Sequence, residues 1–216
     1  MAAHRNNRIK LVWTSNFAYV IGVIATDGNL SSDLRHILVT SKDYEMVLNC
    51  KKCLGIENKI GRKARGGEKE KKYYVLQFGE TNFFEFLLKI GITPRKSKTI
   101  SELKIPFQYF PDFFRGCMDG DGSISIFNHP ESKHKQLKVR LYSASLPFLT
   151  WIHNTIVLIL KIKGGHIYKD PIKEVYGLSY AKSDGGKILS FMYYKRDLPC
   201  LHRKRRLALK IIGRVA

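Results

Sequence analysis

Val20 to Gly28 reads V-I-G-V-I-A-T-D-G, and Phe114 to Gly122 reads F-R-G-C-M-D-G-D-G. Laying Asp27 on Asp121 also lays Gly22 on Gly116, Gly28 on Gly122 and Leu30 on Ile124. Each stretch is an apolar run that ends in Asp-Gly and carries small residues four apart: Gly22 and Thr26, then Gly116 and Gly120. Glycine inside a helix costs up to ~1 kcal/mol relative to alanine, so its recurrence calls for a cause. A stripe of small residues lets two helix backbones approach closely. Helices packed on those stripes would end with Asp27 and Asp121 side by side. An Asp-Gly pair taken alone also reads as a hairpin turn; its return after the same apolar run favours helix ends.

The likeness continues downstream in the same order, which marks a duplication. Val39-Thr40-Ser41-Lys42 faces Leu141-Tyr142-Ser143-Ala144, with the extra residues absorbed in the polar stretch Asn128 to Gln136. Tyr74 to Phe78 faces Tyr176 to Tyr180, and Pro94 with Arg95, Lys96 and Lys98 faces Pro199 with Arg203, Lys204 and Arg205. Each half reads αββαββα. Strands are expected near 29–40, 58–64 and 72–79, and again near 123–143, 166–170 and 174–181. The helix after the first pair of strands should bury Tyr44, Val47, Leu48 and Leu54 in one half, with Lys51 interrupting. In the other it should bury Phe148, Trp151, Ile152, Thr155 and Ile159. Closing helices are expected over Phe83 to Ile90 and Lys187 to Tyr194. Thr93-Pro94 to Lys104-Ile105-Pro106 is a natural boundary, which gives halves at 1–98 and 107–216 joined by a linker at 99–106.

Charge narrows the partners. The 216 residues carry 38 Lys and Arg against 18 Asp and Glu, a formal net of +20. Such an excess repels itself in a compact state unless a polyanion offsets it, and nucleic acid is the usual one, because contacted phosphates release counterions. No long apolar run suggests a membrane span. The polar, basic first ten residues show no secretory pattern, so the expectation is a reduced intracellular setting, a prokaryotic cytoplasm or organelle matrix. Cys50 and Cys53 form a C-x-x-C inside an amphipathic stretch, with no second ligand pair at zinc spacing; they read as helix cysteines. D-G-D-G-S-I fails as a calcium loop, since Ile124 and Pro130 stand where Gly and Glu are needed.

The two Asp-Gly segments resemble the LAGLIDADG motif of the homing endonuclease family, and the resemblance spans almost the whole chain. The second segment is the closer match; the first departs at Ala25, where the family usually has an acid. The resemblance implies an α+β fold of two pseudo-symmetric αββαββα halves with saddle-shaped antiparallel sheets, packed through the two motif helices. It implies a monomer that binds double-stranded DNA along those sheets and cuts both strands of a long, asymmetric target. It also implies that Asp27 and Asp121 hold the metal, with the backbone of Thr26 and Gly120 as further donors. Mg²⁺ would be the working ion, Mn²⁺ a substitute, and Ca²⁺ would support binding without cleavage. The same fold also serves as an intron RNA maturase or as a DNA-binding protein that does not cut.

Physical chemistry points the same way for the acids. A helix C-terminus is negative and disfavours carboxylates, and two acids meeting there repel. A divalent cation removes both problems while keeping positions for water and phosphate. By the repeat alignment Lys42 and Lys182 follow strands beside this site, where a lysine could stabilise phosphate charge; Ser41 and Gln77 are lesser candidates. Arg35, His36 and Thr40, Arg62, Lys63 and Arg65, and Lys138 and Arg140 are candidates for DNA contact from the strands. Lys96, Lys98, Arg203 and Lys204 are candidates for phosphates, since they recur at equivalent places.

Overall fold

The computed structural model describes residues 9–64, 69–128 and 135–213; Arg65 and the side chain of Lys182 lie outside the described residues. Thr14 starts the first helix: its hydroxyl accepts from the Phe17 amide at 3.1 Å, satisfying a donor that a helix start leaves open. Helix α1 runs Ser15–Asp27 and passes directly into β1 (Gly28–Leu30), β2 (His36–Ser41), α2 (Tyr44–Leu54), β3 (Ile60–Lys63), β4 (Tyr73–Gly79) and α3 (Thr81–Ile90). The order then repeats as α4 (Phe110–Asp121), β5 (Gly122–Asn128), β6 (Lys135–Ser143), α5 (Leu146–Leu160), β7 (His166–Lys169), β8 (Tyr176–Ala181) and α6 (Lys182–Met192). The strands form two antiparallel sheets of identical order, β1-β2-β4-β3 and β5-β6-β8-β7. The fold is α+β, as the repeat requires.

Burial sorts each strand by parity. Ile37, Val39, Leu76 and Phe78 of the first sheet, and Leu137, Val139, Leu141, Leu178 and Tyr180 of the second, are buried in the core. The opposite faces carry polar residues and stay open. Helices α1 and α4 pack against each other between the halves, and α1 is buried on every side from Phe17 to Ala25. The buried stripe of α2 is Met46, Val47, Cys50 and Leu54, rotated from the expected one. Tyr44 is exposed, and Lys51 therefore does not interrupt the stripe. In α5 the stripe is Phe148, Leu149, Ile152, Thr155 and Ile156. The closing helices also begin earlier than the apolar pattern suggests, at Thr81 and Lys182, because their first turns are polar.

A seventh helix, α7 (His202–Ile212), follows. Its run of five consecutive His, Arg and Lys residues hides the periodicity, and among its residues only Lys204, Ala208 and Ile211 are buried. It is tied to α2 of the other half by Arg203, which donates to both Asp43 carboxylate oxygens at 3.3 and 2.8 Å, and by His202 against Glu45.

Behind α4 lies a buried ion pair. Arg115 is 0% and Asp112 1% exposed, joined at 2.6 Å. The Arg115 guanidinium also donates to the Met192 and Pro199 carbonyls at 2.8 and 2.9 Å, and the Tyr194 hydroxyl donates to Asp112 at 3.1 Å. Removing one member of such a pair strands the other charge, at ~3–5 kcal/mol. Arg115→Met is therefore expected to lower unfolding stability by at least ~3 kcal/mol, read as a shift in denaturant midpoint; an unchanged midpoint would show that Asp112 is not committed to this pair.

Candidate active site

The crossing of α1 and α4 fixes the site. A Cβ built on Gly22 would lie 2.0 Å from the Phe113 carbonyl oxygen, and one on Gly116 would lie 2.1 Å from the Tyr19 carbonyl oxygen. Backbone meets backbone there. One turn further on, a Cβ at Gly120 would meet the Thr26 hydroxyl at 2.1 Å and an Asp27 carboxylate oxygen at 2.2 Å. Glycine at 120 therefore leaves the space that the Asp27 side chain fills. Asp27 and Asp121 end their helices in one cleft of about 820 Å³, lined also by Thr40, Ser41, Lys42, Lys63, Tyr73 and Tyr142.

Burial raises the Asp27 carboxyl from 3.8 to about 6, the neighbouring Asp121 adds to the rise, and the Thr26 hydroxyl at 3.0 Å opposes it. Asp121 faces the open cleft but is closely surrounded, and it too is raised. Two lysines stand behind these acids. Lys96 is 5% exposed and donates to the Gly28 carbonyl. Lys204 is 6% exposed and donates to the carbonyls of Met118, Asp119 and Gly122 at 2.5, 3.1 and 2.7 Å. Gly28 and Gly122 are repeat equivalents, so each half sets one ammonium at the end of its own motif helix. A cation at a helix C-terminus is the favourable arrangement. Burial lowers Lys96 to about 8 against the pull of Asp27 and Asp121. Lys204 is lowered for the same reason, with Asp119 the strongest opposing charge. The phosphate contacts expected of Lys96 and Lys204 thus give way to an internal position.

No family model matches the sequence, and no curated protein matches it. Solved structures do match. A structure of mesophilic variants of the homing endonuclease I-DmoI aligns with a TM-score of 0.57 at 16% identity, over 89% of this chain and 96% of that one. The meganuclease I-SmaMI bound to uncleavable DNA aligns with a TM-score of 0.56 at 15% identity, over 90% of this chain and 89% of the other. The N-terminal LAGLIDADG domain of DUF199/WhiA aligns with a TM-score of 0.53 at 17% identity, over 89% of each chain. The chain has the LAGLIDADG fold. Identities this low carry fold and not activity.

Within the LAGLIDADG fold the open sheet faces decide which candidate side chains can meet a ligand. On the first sheet Asn29, His36, Leu38, Thr40, Lys63, Tyr73, Val75 and Gln77 share the open face. Arg62 does not. It pairs with Tyr74 in register, on the helix side, and its guanidinium lies 4.8 Å from the Tyr74 ring centre. The Lys42 ammonium sits 5.4 Å from the Tyr73 ring centre at the cleft. Arg35 is exposed at the turn before β2, and His36 is held by Asp33 at 2.5 Å. On the second sheet Ser123, Ser125, Lys138, Arg140, Tyr142 and Tyr168 share the open face. Lys98 is exposed and pairs with Glu174 at 3.3 Å. Arg203 is turned to Asp43. No helix among the described residues is long and apolar enough to cross a membrane.

The fit of a metal can be tested on the donors. Among the described residues no group of three or more His, Cys, Asp or Glu could hold an ion. Two carboxylates at one cleft make an all-oxygen set well short of a full shell. That suits Mg²⁺, which keeps several waters and takes substrate phosphate oxygens; it does not suit zinc. The raised acids add a consequence for the metal-free protein. Below about pH 4, folded and unfolded chains both hold the Asp27 proton. As pH rises to about 6 the unfolded carboxyl ionises first, so the fold loses stability, and the loss stays in full above that pH. Allowing for partial exposure, the cost is ~1–3 kcal/mol. Asp27→Asn should therefore stabilise the metal-free protein near neutral pH and make no difference below about pH 4. Thermal melts in chelator at both pH values would show this, and a destabilised variant at neutral pH contradicts it.

Proposed function

We propose that the chain is a site-specific DNA endonuclease that binds a long, asymmetric duplex as a monomer and hydrolyses one phosphodiester in each strand. The observation that carries the reading is the convergence of Asp27 and Asp121 at one cleft, with Lys96 and Lys204 behind them. Two unlike halves on one chain suit a target without strict two-fold symmetry. Two antiparallel sheets with mixed polar and basic open faces offer groups for base edges and phosphates. Asp27 and Asp121 would hold Mg²⁺ or Mn²⁺, with the Thr26 and Gly120 backbone as further donors. A cation held there would supply charge neutralisation at the phosphate and an activated water. The neighbour I-DmoI has been solved in complex with DNA and Mn. Lys42 and Lys63 line the cleft where phosphate charge would build up, and Arg35, His36, Thr40, Lys138 and Arg140 supply the contacts around it. Lys182 is proposed as the second-half partner of Lys42 on the repeat alignment. The halves are proposed to act as units at 1–98 and 107–216.

The test is selection from a randomised duplex library. Binders captured in Ca²⁺ are then exposed to Mg²⁺, and the cut molecules are sequenced. One off-palindromic sequence cut on both strands supports the reading. Tight selection with no cutting in Mg²⁺ or Mn²⁺ removes it and leaves a binding protein or maturase.

A further inference from the structure

We propose that Asp119 is a positioning residue that fixes Lys204 beside Asp121, and that the first half has no counterpart to it. This rests on the endonuclease reading for its catalytic consequence, though not for its structural one. Asp119 is the other acid of the second motif. It is 2% exposed and accepts on one oxygen from the Leu201 amide at 2.7 Å and from the Tyr19 hydroxyl at 2.9 Å. Its second oxygen is buried without a hydrogen-bond partner among the described residues. A buried carboxylate with one oxygen left unpaired calls for a reason.

What it grips is the start of α7. Leu201 is the N-cap residue of that helix and offers no side-chain cap of its own. The Lys204 amide donates back to the Leu201 carbonyl at 3.0 Å, closing the first turn. Arg115 holds the preceding Pro199 carbonyl at 2.9 Å. Lys204 then reaches the last turn of α4 through its three carbonyl contacts. The first turn of α7 is thus fastened to the end of α4 at both ends, by Asp119 at Leu201 and by Lys204 at Gly122. Asp119 thereby sets where the helix that carries Lys204 begins.

The first half solves the same problem differently. Ala25 stands at the equivalent of Asp119, so α1 carries no carboxylate at that position. Lys96 belongs to a single 3-10 turn, Lys96–Lys98, entered through Arg95 at φ 56°. That turn is held by the Ile100 amide on the Lys96 carbonyl at 2.8 Å and by the Ser145 hydroxyl on the Ile100 carbonyl. Loss of Asp119 therefore disturbs one of the two lysines, and with it one of the two strand cuts.

The experiment has two arms on the full chain. In metal-free protein, Asp119→Ala should speed hydrogen exchange of peptide 199–206 by at least ~10-fold, with the amides of α3 unchanged. On a cleavable target labelled on each strand, it should slow one nick more than ~10-fold while the other stays within about twofold. Asp119→Asn keeps an acceptor for the Leu201 amide and should recover most of both effects. Unchanged exchange in that peptide overturns the proposal. Equal slowing of both nicks, or faster exchange throughout the chain, overturns it too, since either marks general destabilisation. Should the unaltered protein cut no duplex, the endonuclease reading fails, and the exchange arm still decides what Asp119 holds.

Discussion

Asp27→Asn and Asp121→Asn are each expected to end double-strand cutting while leaving DNA binding as tight as before or tighter. Either change removes one negative charge from a cleft that would receive phosphates, so affinity has no reason to fall. Cutting has every reason to. The two carboxylates are the acidic groups that the helix crossing brings to the cleft, and the site has no third acid, histidine or cysteine in reserve among the described residues. Asparagine keeps the shape, and at position 27 it can still accept from the Thr26 hydroxyl, but it carries no charge to hold a divalent cation. Loss of a single preorganised group that acts on the transition state costs ~10²–10³-fold, and a lost metal should cost at least that. Strand-resolved nicking with excess Mg²⁺ is the measurement, alongside a binding isotherm in Ca²⁺. Ordinary turnover in either variant would withdraw the acids from the chemistry. Loss of binding in step with cutting would make them structural.

Much of this was legible in the residues because duplication writes the same constraint twice. Gly22 with Gly116, and Asp27 with Asp121, recur at one spacing, and a recurring local cost identifies a shared geometry. The strands were legible for a similar reason, since Val39 to Lys42 faces Leu141 to Ala144 and Tyr74 to Phe78 faces Tyr176 to Tyr180; their buried face was not, because Ile37, Leu38 and Val39 run apolar without a break. The buried lysines were not legible. Lys96 and Lys204 sit among many basic residues, and nothing local distinguishes an ammonium that turns inward to a glycine carbonyl from one facing solvent. Only the repeat hints at it, because Pro94 and Pro199 precede both. The face of Arg62 was not legible either, because it depends on register: a slip of one residue moves a side chain to the other face, and pairing with Tyr74 sets Arg62 on the helix side of the sheet while leaving it exposed. Helix α7 escaped because its first five residues are all basic, which confines its apolar residues to the second half, and it is held by Asp119, Asp43 and Glu45, contacts far away in sequence.

Gly22→Ala and Gly116→Ala should be the most damaging single-methyl changes in the chain. A methyl at either site would sit 2.0 or 2.1 Å from a carbonyl oxygen of the opposite helix. No rotamer change relieves that, because both partners are backbone. The helices must separate, and overpacking of this kind costs at least ~1–3 kcal/mol; backbone contact on both sides puts the expectation at ~3 kcal/mol or above. The two sites also face one another, since a Cβ on either would lie 3.0 Å from the other's Cα. Once the first alanine has pushed the helices apart, the second meets less resistance. The double variant should therefore fall short of the sum by ~1 kcal/mol or more, the size of coupling found between residues in contact. Gly186→Ala is the control, since a Cβ there meets nothing within 4 Å and the residue lies inside α6. It should raise stability by ~0.5–1 kcal/mol through helix propensity alone. Denaturant titration of the four variants decides the matter. A Gly22→Ala variant as stable as the unaltered chain would mean that α1 and α4 do not cross in backbone contact. In that case the geometry that brings Asp27 to Asp121 would go with it.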